Sequence, residues 1–290
     1  MCDFAILTDS ACDLPANLAI DLKLSVVPLS VLIEGNTYVN YLDGREINPS
    51  DFYSKLRKGK MATTSAVNVD TFLKQMNVLL ESGKDILYLG FSSALSGTFS
   101  SARVAANDLA EKYPERKIYA VDTLCASLGE GMLVYLAVEE KKKGKTIEEV
   151  CDYIEATRLH LCHWFTVDDL HHLKRGGRVS AATALLGSAL NIKPILHVDN
   201  EGKLISVDKT RGRKTSINKL VEKMAETVID STNQTIFISH GDCEEDAKYL
   251  AKLIKQKIGV KGVVINHVGP VIGAHSGPGT LALFFVGKER

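Results

Sequence analysis

The stretch SSALSGTFSSA, at 92–102, places six hydroxyls within eleven residues. It follows the apolar run ILYLGF at 86–91, which reads as a buried strand, and leads into a helix-compatible run at 100–113. A Ser/Thr/Gly turn therefore opens a helix at the carboxyl end of a strand. Helix N-termini leave backbone N–H groups unpaired and carry a partial positive charge. Hydroxyls at such a turn add uncharged donors, and Gly97 lets a ligand approach the backbone closely. This chemistry suits an anion of modest charge, one carboxylate or a phosphate. A second polar turn, Thr63-Thr64-Ser65, precedes another helical run closed by Gly83 and reads the same way. Neither turn contains Lys or Arg, and neither matches the Walker pattern, so nucleotide binding is poorly supported. Each turn taken alone reads more simply as an ordinary N-cap; the pair, with Gly97, points to a site.

Three further stretches offer polar groups. LKRGGRVS (173–180) carries three cations about a Gly-Gly pair. Arg178 can reach an anion from there, while Lys174 and Arg175 equally suit a helix C-terminus. TRGRK (210–214) is a second basic cluster, set before a helix where cations oppose the dipole; solvated surface charge is its default reading. GPVIGAHSGPGT (269–280) reads as a rigid loop in which His275 is either a ligand wall or a core histidine with a satisfied hydrogen bond. A Ser96–His275–Asp122 triad can be drawn, but the context Leu95-Ser96-Gly97 is no G-x-S-x-G elbow, so an esterase-type hydrolase ranks below binding. Cys162, flanked by His160 and His163 with His171 and His172 beyond, fits no strong zinc template, and no metal is assigned.

The elements that must position these groups alternate strand and helix. FAILTD, ILYLGF and KIYAVDT read as strands of a parallel, doubly wound sheet, whose ligands sit outside the strands' carboxyl ends. Asp9-Ser10, the 92–98 turn and Asp122-Thr123 all fall at such ends. From about residue 158 the pattern changes: two strands flank the hairpin turn Asp199-Asn200-Glu201-Gly202, and α/β units follow. Two domains are expected, an N-terminal α/β domain at 1–158 and a C-terminal α+β domain with a mixed sheet at 159–290. AATALLGSALNIKPIL (181–196) reads as a core helix, with an apolar tunnel wall as its alternative.

The chain's 290 residues are 45% hydrophobic, and 35 Lys and Arg balance 35 Asp and Glu. Zero formal charge argues against broad nucleic-acid or anionic-membrane binding. The six cysteines form no C-x-x-C pair and read as reduced thiols. No run of eighteen apolar residues and no basic-then-apolar leader occurs, so a cytoplasmic protein is expected.

Taken in order, TDSACDLP (8–15), TTSAVN (63–68), SSALSGTFSSA (92–102), VDT (121–123), LHHLKRGGRVS (170–180), KPILHVDNEGK (193–203) and GPVIGAHSGPG (269–279) resemble the DegV family of bacterial lipid-binding proteins nearly end to end. One departure is Ala66-Val67-Asn68, where members more often carry a Gln-Pro-Ser-like run, at the expected site rim. The resemblance implies a two-domain α/β protein with a long-chain fatty acid buried between the domains, as ligand and not cofactor. Its carboxylate would rest on Thr64 and Ser96, with Ser65, Ser93 and Gly97 nearby and His275 and Arg178 completing the polar end. It further implies a carrier without an ATP site, presenting the carboxylate to a separate fatty acid kinase for acyl-phosphate formation and phospholipid synthesis. Arg211 matches the basic position expected to meet that kinase. A lipid-responsive regulatory protein is the remaining alternative.

Overall fold

The computed structural model describes residues 3–180 and 191–290; most of the 181–196 run therefore lies outside the described residues. From the N-terminus the elements are β1 (Phe4–Asp9), α1 (Ala16–Asp21), β2 (Ser25–Val27), β3 (Ser30–Ile33), β4 (Asn36–Val39), α2 (Pro49–Arg57), β5 (Ala62–Ser65) and α3 (Val69–Glu81). Then come β6 (Asp85–Gly90), α4 (Thr98–Lys112), β7 (Ile118–Asp122), α5 (Leu128–Lys142), α6 (Ile147–Thr157), β8 (Leu161–Thr166) and α7 (His171–Arg175). The remainder is β9 (Ile192–Val198), β10 (Leu204–Arg211), α8 (Arg213–Thr227), β11 (Thr235–His240), α9 (Glu244–Lys257), β12 (Gly262–His267), α10 (Pro270–Ser276) and β13 (Leu281–Val286).

The first sheet runs β2-β1-β6-β7 and is parallel throughout. Its central strand β6 is buried on both faces, which is why ILYLG is uniformly apolar. Ile86 and Tyr88 pack towards α3 and α4, and Leu87 and Leu89 towards α5 and α6. The sheet is thus covered on both faces. The second sheet, β10-β9-β8-β13-β11-β12, is mixed: β11 and β12 are parallel and every other pairing is antiparallel. The parallel sheet ends at Asp122 and the mixed one begins at Leu161, so residue 158 falls in the segment between them. Helix α5 packs against strands of both sheets and is buried along most of its length. It can approach β8 so closely because Gly129 has no side chain: a Cβ there would stand 2.1 Å from His163 Nε2.

A third, antiparallel sheet, β4-β3-β5, corrects the local reading of 63–65. Thr63-Thr64-Ser65 is a strand paired with β3, not a turn opening a helix. The helix starts later, at Val69, with Asn68 Oδ1 accepting from Thr71 N at 2.9 Å. Asn68 therefore performs the capping expected of a serine there. The loop reading of 269–280 is corrected too, since residues 270–276 form α10. Helix α10 packs tightly on α2: a Cβ at Gly273 would lie 2.5 Å from the Tyr53 hydroxyl.

Among the described residues, Cys12, Cys125, Cys151, Cys162 and Cys243 are free thiols. No described helix is long and apolar enough to cross a membrane.

Candidate functional site

The carboxyl ends of β1, β6 and β7 are tied together by their own polar residues. Asp9 accepts from Ala11 N at 3.0 Å and from the Tyr88 hydroxyl at 2.8 Å. Asp122 accepts from Leu124 N at 3.0 Å and Ser93 N at 3.3 Å, pinning the SSALSG turn. Thr123 Oγ1 donates to Gly90 O at 2.7 Å. The turn is held from the second sheet as well, where Ser92 Oγ donates to Gly202 O of the β9–β10 hairpin at 2.9 Å.

Above these ends lies a cavity of about 260 Å³, lined by strands of the mixed sheet and by the segments that follow β1, β2 and β6. Its walls are largely apolar, including Leu29, Phe91, Phe165, Val198, Ala282 and Phe284. Its polar end gathers Thr64, Ser96, Gly97, Arg178 and His275, five of the seven residues expected there. The other two lie elsewhere. Ser65 alternates to the outer face of β5, and Ser93 is exposed with its backbone turned to Asp122; neither lines the cavity. Ala66 lines the rim, while Val67 is buried in the core beside it.

The geometry of the polar end is specific. His275 Nε2 lies 2.8 Å from Thr64 Oγ1. Ser96 Oγ accepts from Thr98 N at 3.2 Å and lies 3.0 Å from Thr98 Oγ1, at the start of α4, where the N-cap position Gly97 has no side chain. Arg178 donates through Nε and Nη2 to Leu95 O, at 3.1 and 2.9 Å, and through Nη1 to Gly176 O. These are neutral acceptors, and among the described residues Arg178 has no carboxylate partner. Burial, reinforced by the Arg178 charge, pushes His275 down to about 4, so it is neutral near pH 7. When Nε2 carries the proton and donates to Thr64, the threonine hydroxyl is free to donate into the cavity. No Asp or Glu is among the described lining residues. The end is a set of dipoles and hydroxyls backed by one cation, suited to one negative charge.

The structure also brings in polar groups that motif reading did not single out. Ser127 and Ser239 line the cavity 3.1 Å apart, and Ser127 Oγ donates to Asp13 Oδ2 at 2.5 Å. Asp13 also accepts from Gly269 N at 3.0 Å, so TDSACDLP anchors the segment that starts α10 and carries His275. Burial raises its carboxyl to about 8. His163 accepts from Ala126 N at 3.3 Å and donates from Nδ1 to Leu161 O at 3.0 Å, which fixes it as a neutral tautomer. Only their assembly across distant segments marks these residues.

Ser96, His275 and Asp122 do not form a hydrogen-bonded chain, since each is engaged with other partners. His160 bonds Lys288 O and His163 faces α5, and no metal-holding group of three or more side chains occurs among the described residues. Arg211, at the end of β10, is exposed and does not line this cavity.

A parallel α/β sheet and a mixed sheet thus meet at a largely apolar cavity that gathers neutral donors and one cation. The model of the DegV family of uncharacterised proteins matches residues 3–288. A DegV domain-containing protein of Clostridium perfringens is 46% identical over 287 residues, covering 99% of this chain and 98% of the relative. Among solved structures, a DegV family protein from Thermus thermophilus described by its fatty-acid binding superposes with a TM-score of 0.87 at 32% identity, over 97% of this chain and 98% of that one. DegV of Bacillus subtilis, described as a fatty-acid-binding protein, gives 0.84 at 29% identity over 99% and 100%. The chain belongs to the DegV family.

Proposed function

We propose that the protein binds a long-chain fatty acid, its chain in the apolar cavity and its carboxylate on Thr64, Ser96, the Gly97 backbone, His275 and Arg178. The observation that carries this reading is the cavity's lining: largely apolar walls with neutral hydroxyls and imidazoles, one cation, and no Asp or Glu among the described lining residues. The fatty acid binding described for the relatives from Thermus thermophilus and Bacillus subtilis supports it. At ~0.8 kcal/mol per buried CH₂, the chain supplies most of the affinity. The polar end sets orientation.

On this reading the protein is a cytoplasmic carrier, divided near residue 158 with the ligand between its halves, and not an enzyme. It presents the carboxylate to a separate fatty acid kinase. A carboxylate oxygen attacks the terminal phosphorus of ATP, and acyl phosphate and ADP result, feeding phospholipid synthesis. Exposed Arg211 is assigned to the kinase contact. The test is to mix loaded protein with ATP and lysate of the source cell and trap acyl phosphate as its hydroxamate. Formation that requires both protein and lysate supports the reading. Turnover by the protein alone, or ester cleavage lost in Ser96→Ala, overturns it.

A further inference from the structure

The apolar wall that the mixed sheet gives the cavity is interrupted by hydroxyls. Ala282 of β13 pairs with Phe165 of β8 on one side and with Ser239 of β11 on the other, and all three line the cavity. The small alanine side chain leaves the approach to Ser239 open. Ser239 is fully buried, and its hydroxyl lies 3.1 Å from Ser127 Oγ. A serine hydroxyl has one proton to give, and that of Ser127 goes to Asp13 Oδ2 at 2.5 Å. Ser239 is therefore the donor towards Ser127, and its own lone pairs accept from no group among the described residues. Ser276 joins it from α10. Thr280, which lines the cavity two residues before Ala282, donates from Oγ1 to Ser276 O at 3.1 Å. Ser276 also lines the cavity and is only 5% exposed, yet its Oγ has no hydrogen-bond partner among the described residues. One residue turns a helix by about 100°, so Ser276 does not share the direction in which His275 reaches Thr64.

Buried hydroxyls with unmet hydrogen bonds are costly in a wall that faces only methylenes, where alanine would serve better. What the two serines lack defines what they take. Ser239 offers an acceptor, and Ser276 offers a donor as well as acceptors. A hydroxyl on the ligand can donate to Ser239 and accept from Ser276 at once. A ketone can only accept, and a methylene or a double bond can do neither. We infer that Ser239 and Ser276 form a second polar subsite that recognises a hydroxyl carried along the acyl chain, so that hydroxylated long-chain fatty acids are ligands of this protein. This rests on the fatty-acid reading above. Because the carboxylate is held at the other polar group, the subsite also selects where along the chain the hydroxyl stands.

The test measures, by calorimetry, stearate and a panel of monohydroxystearates that carry the hydroxyl at successive chain positions, on wild type and on Ser239→Ala/Ser276→Ala. Removing two hydroxyls changes little volume, and an unchanged Tm certifies the fold. The wild type should bind at least one positional isomer as tightly as stearate, with the isomers to either side weaker. In the variant that ligand hydroxyl is buried without a partner, so the ratio of its affinity to that of stearate should fall by at least about fivefold. Wild type that binds stearate but holds every isomer about fivefold or more weakly overturns the subsite alone, because the cavity then treats any hydroxyl as an unpaired polar group. An affinity ratio left unchanged by the variant, or equal affinities for all isomers, overturns it as well. Wild type that binds no member of the panel, stearate included, overturns the fatty-acid reading and the subsite with it.

Discussion

Substituting Gly176 by alanine tests the polar end without touching any group assigned to the carboxylate. A Cβ at Gly176 would stand 2.4 Å from His275 Nδ1 and 3.2 Å from its Cγ. Ordinary contact starts near 3.4 Å, so the imidazole must retreat by about 1 Å. The backbone itself is unstrained, at φ −70. That retreat breaks the 2.8 Å contact with Thr64. Losing one buried hydrogen bond costs about 1 to 1.5 kcal/mol, which is about five- to twelvefold in Kd. Displacement of a fluorescent fatty acid at neutral pH measures it, with Tm as the control for folding. Thr64→Val removes the same contact, so the double variant should lose little more than either single one. An affinity for Gly176→Ala within about twofold of wild type, or fully additive losses in the double variant, would refute the reasoning.

Other perturbations follow from the same geometry. His275 is lowered from 6.5 to about 4, so between those values the unfolded chain binds a proton that the fold excludes. Stability therefore falls as pH drops through that window, by up to ~3 kcal/mol. His275→Gln should flatten the Tm–pH curve there, while His240, lowered to about 4 as well, keeps part of the slope. Asp13 is raised to about 8, so its contribution runs the other way, and stability falls as pH rises from 3.8 towards 8. Asparagine tolerates the left-handed backbone at φ 52, and Asp13→Asn should melt above wild type once the pH exceeds 8. At Gly202, with φ +78, a Cβ would meet Ser92 Oγ at 2.3 Å. Gly202→Ala should cost about 2 to 3 kcal/mol by urea denaturation. Ser96→Ala should weaken fatty-acid binding, and Ser93→Ala should leave it unchanged because Ser93 faces away from the cavity. Equal effects would show that the turn is oriented otherwise.

Much of the scaffold was legible because periodicity and burial coincide in it. ILYLGF is apolar on both faces because helices cover both, and Asp199-Asn200-Glu201-Gly202 reads as a hairpin because its turn chemistry is local. What escaped depends on distant partners. Thr63-Thr64-Ser65 resembles a cap, yet pairing with β3 makes it a strand, and only alternation along that strand separates inward Thr64 from outward Ser65. Helix α10 is poor in helix formers, and it packs where it does because Gly273 allows contact with Tyr53, far away in sequence. Helix α6 did carry a local signal: Thr146 and Glu149 form a capping box, and T-x-x-E marks it in the sequence. The roles of Asp13 and Ser127 could not be read locally, because each is defined by a partner more than a hundred residues away.

Denaturing extraction of the purified protein, with mass spectrometry of the released small molecule, tests the central claim most directly. The account predicts one long-chain fatty acid per chain, or uptake of one by protein that is isolated empty. A protein that yields no lipid and takes up no added fatty acid would contradict it, and the Thr64–His275–Arg178 end would then have to serve a smaller anion.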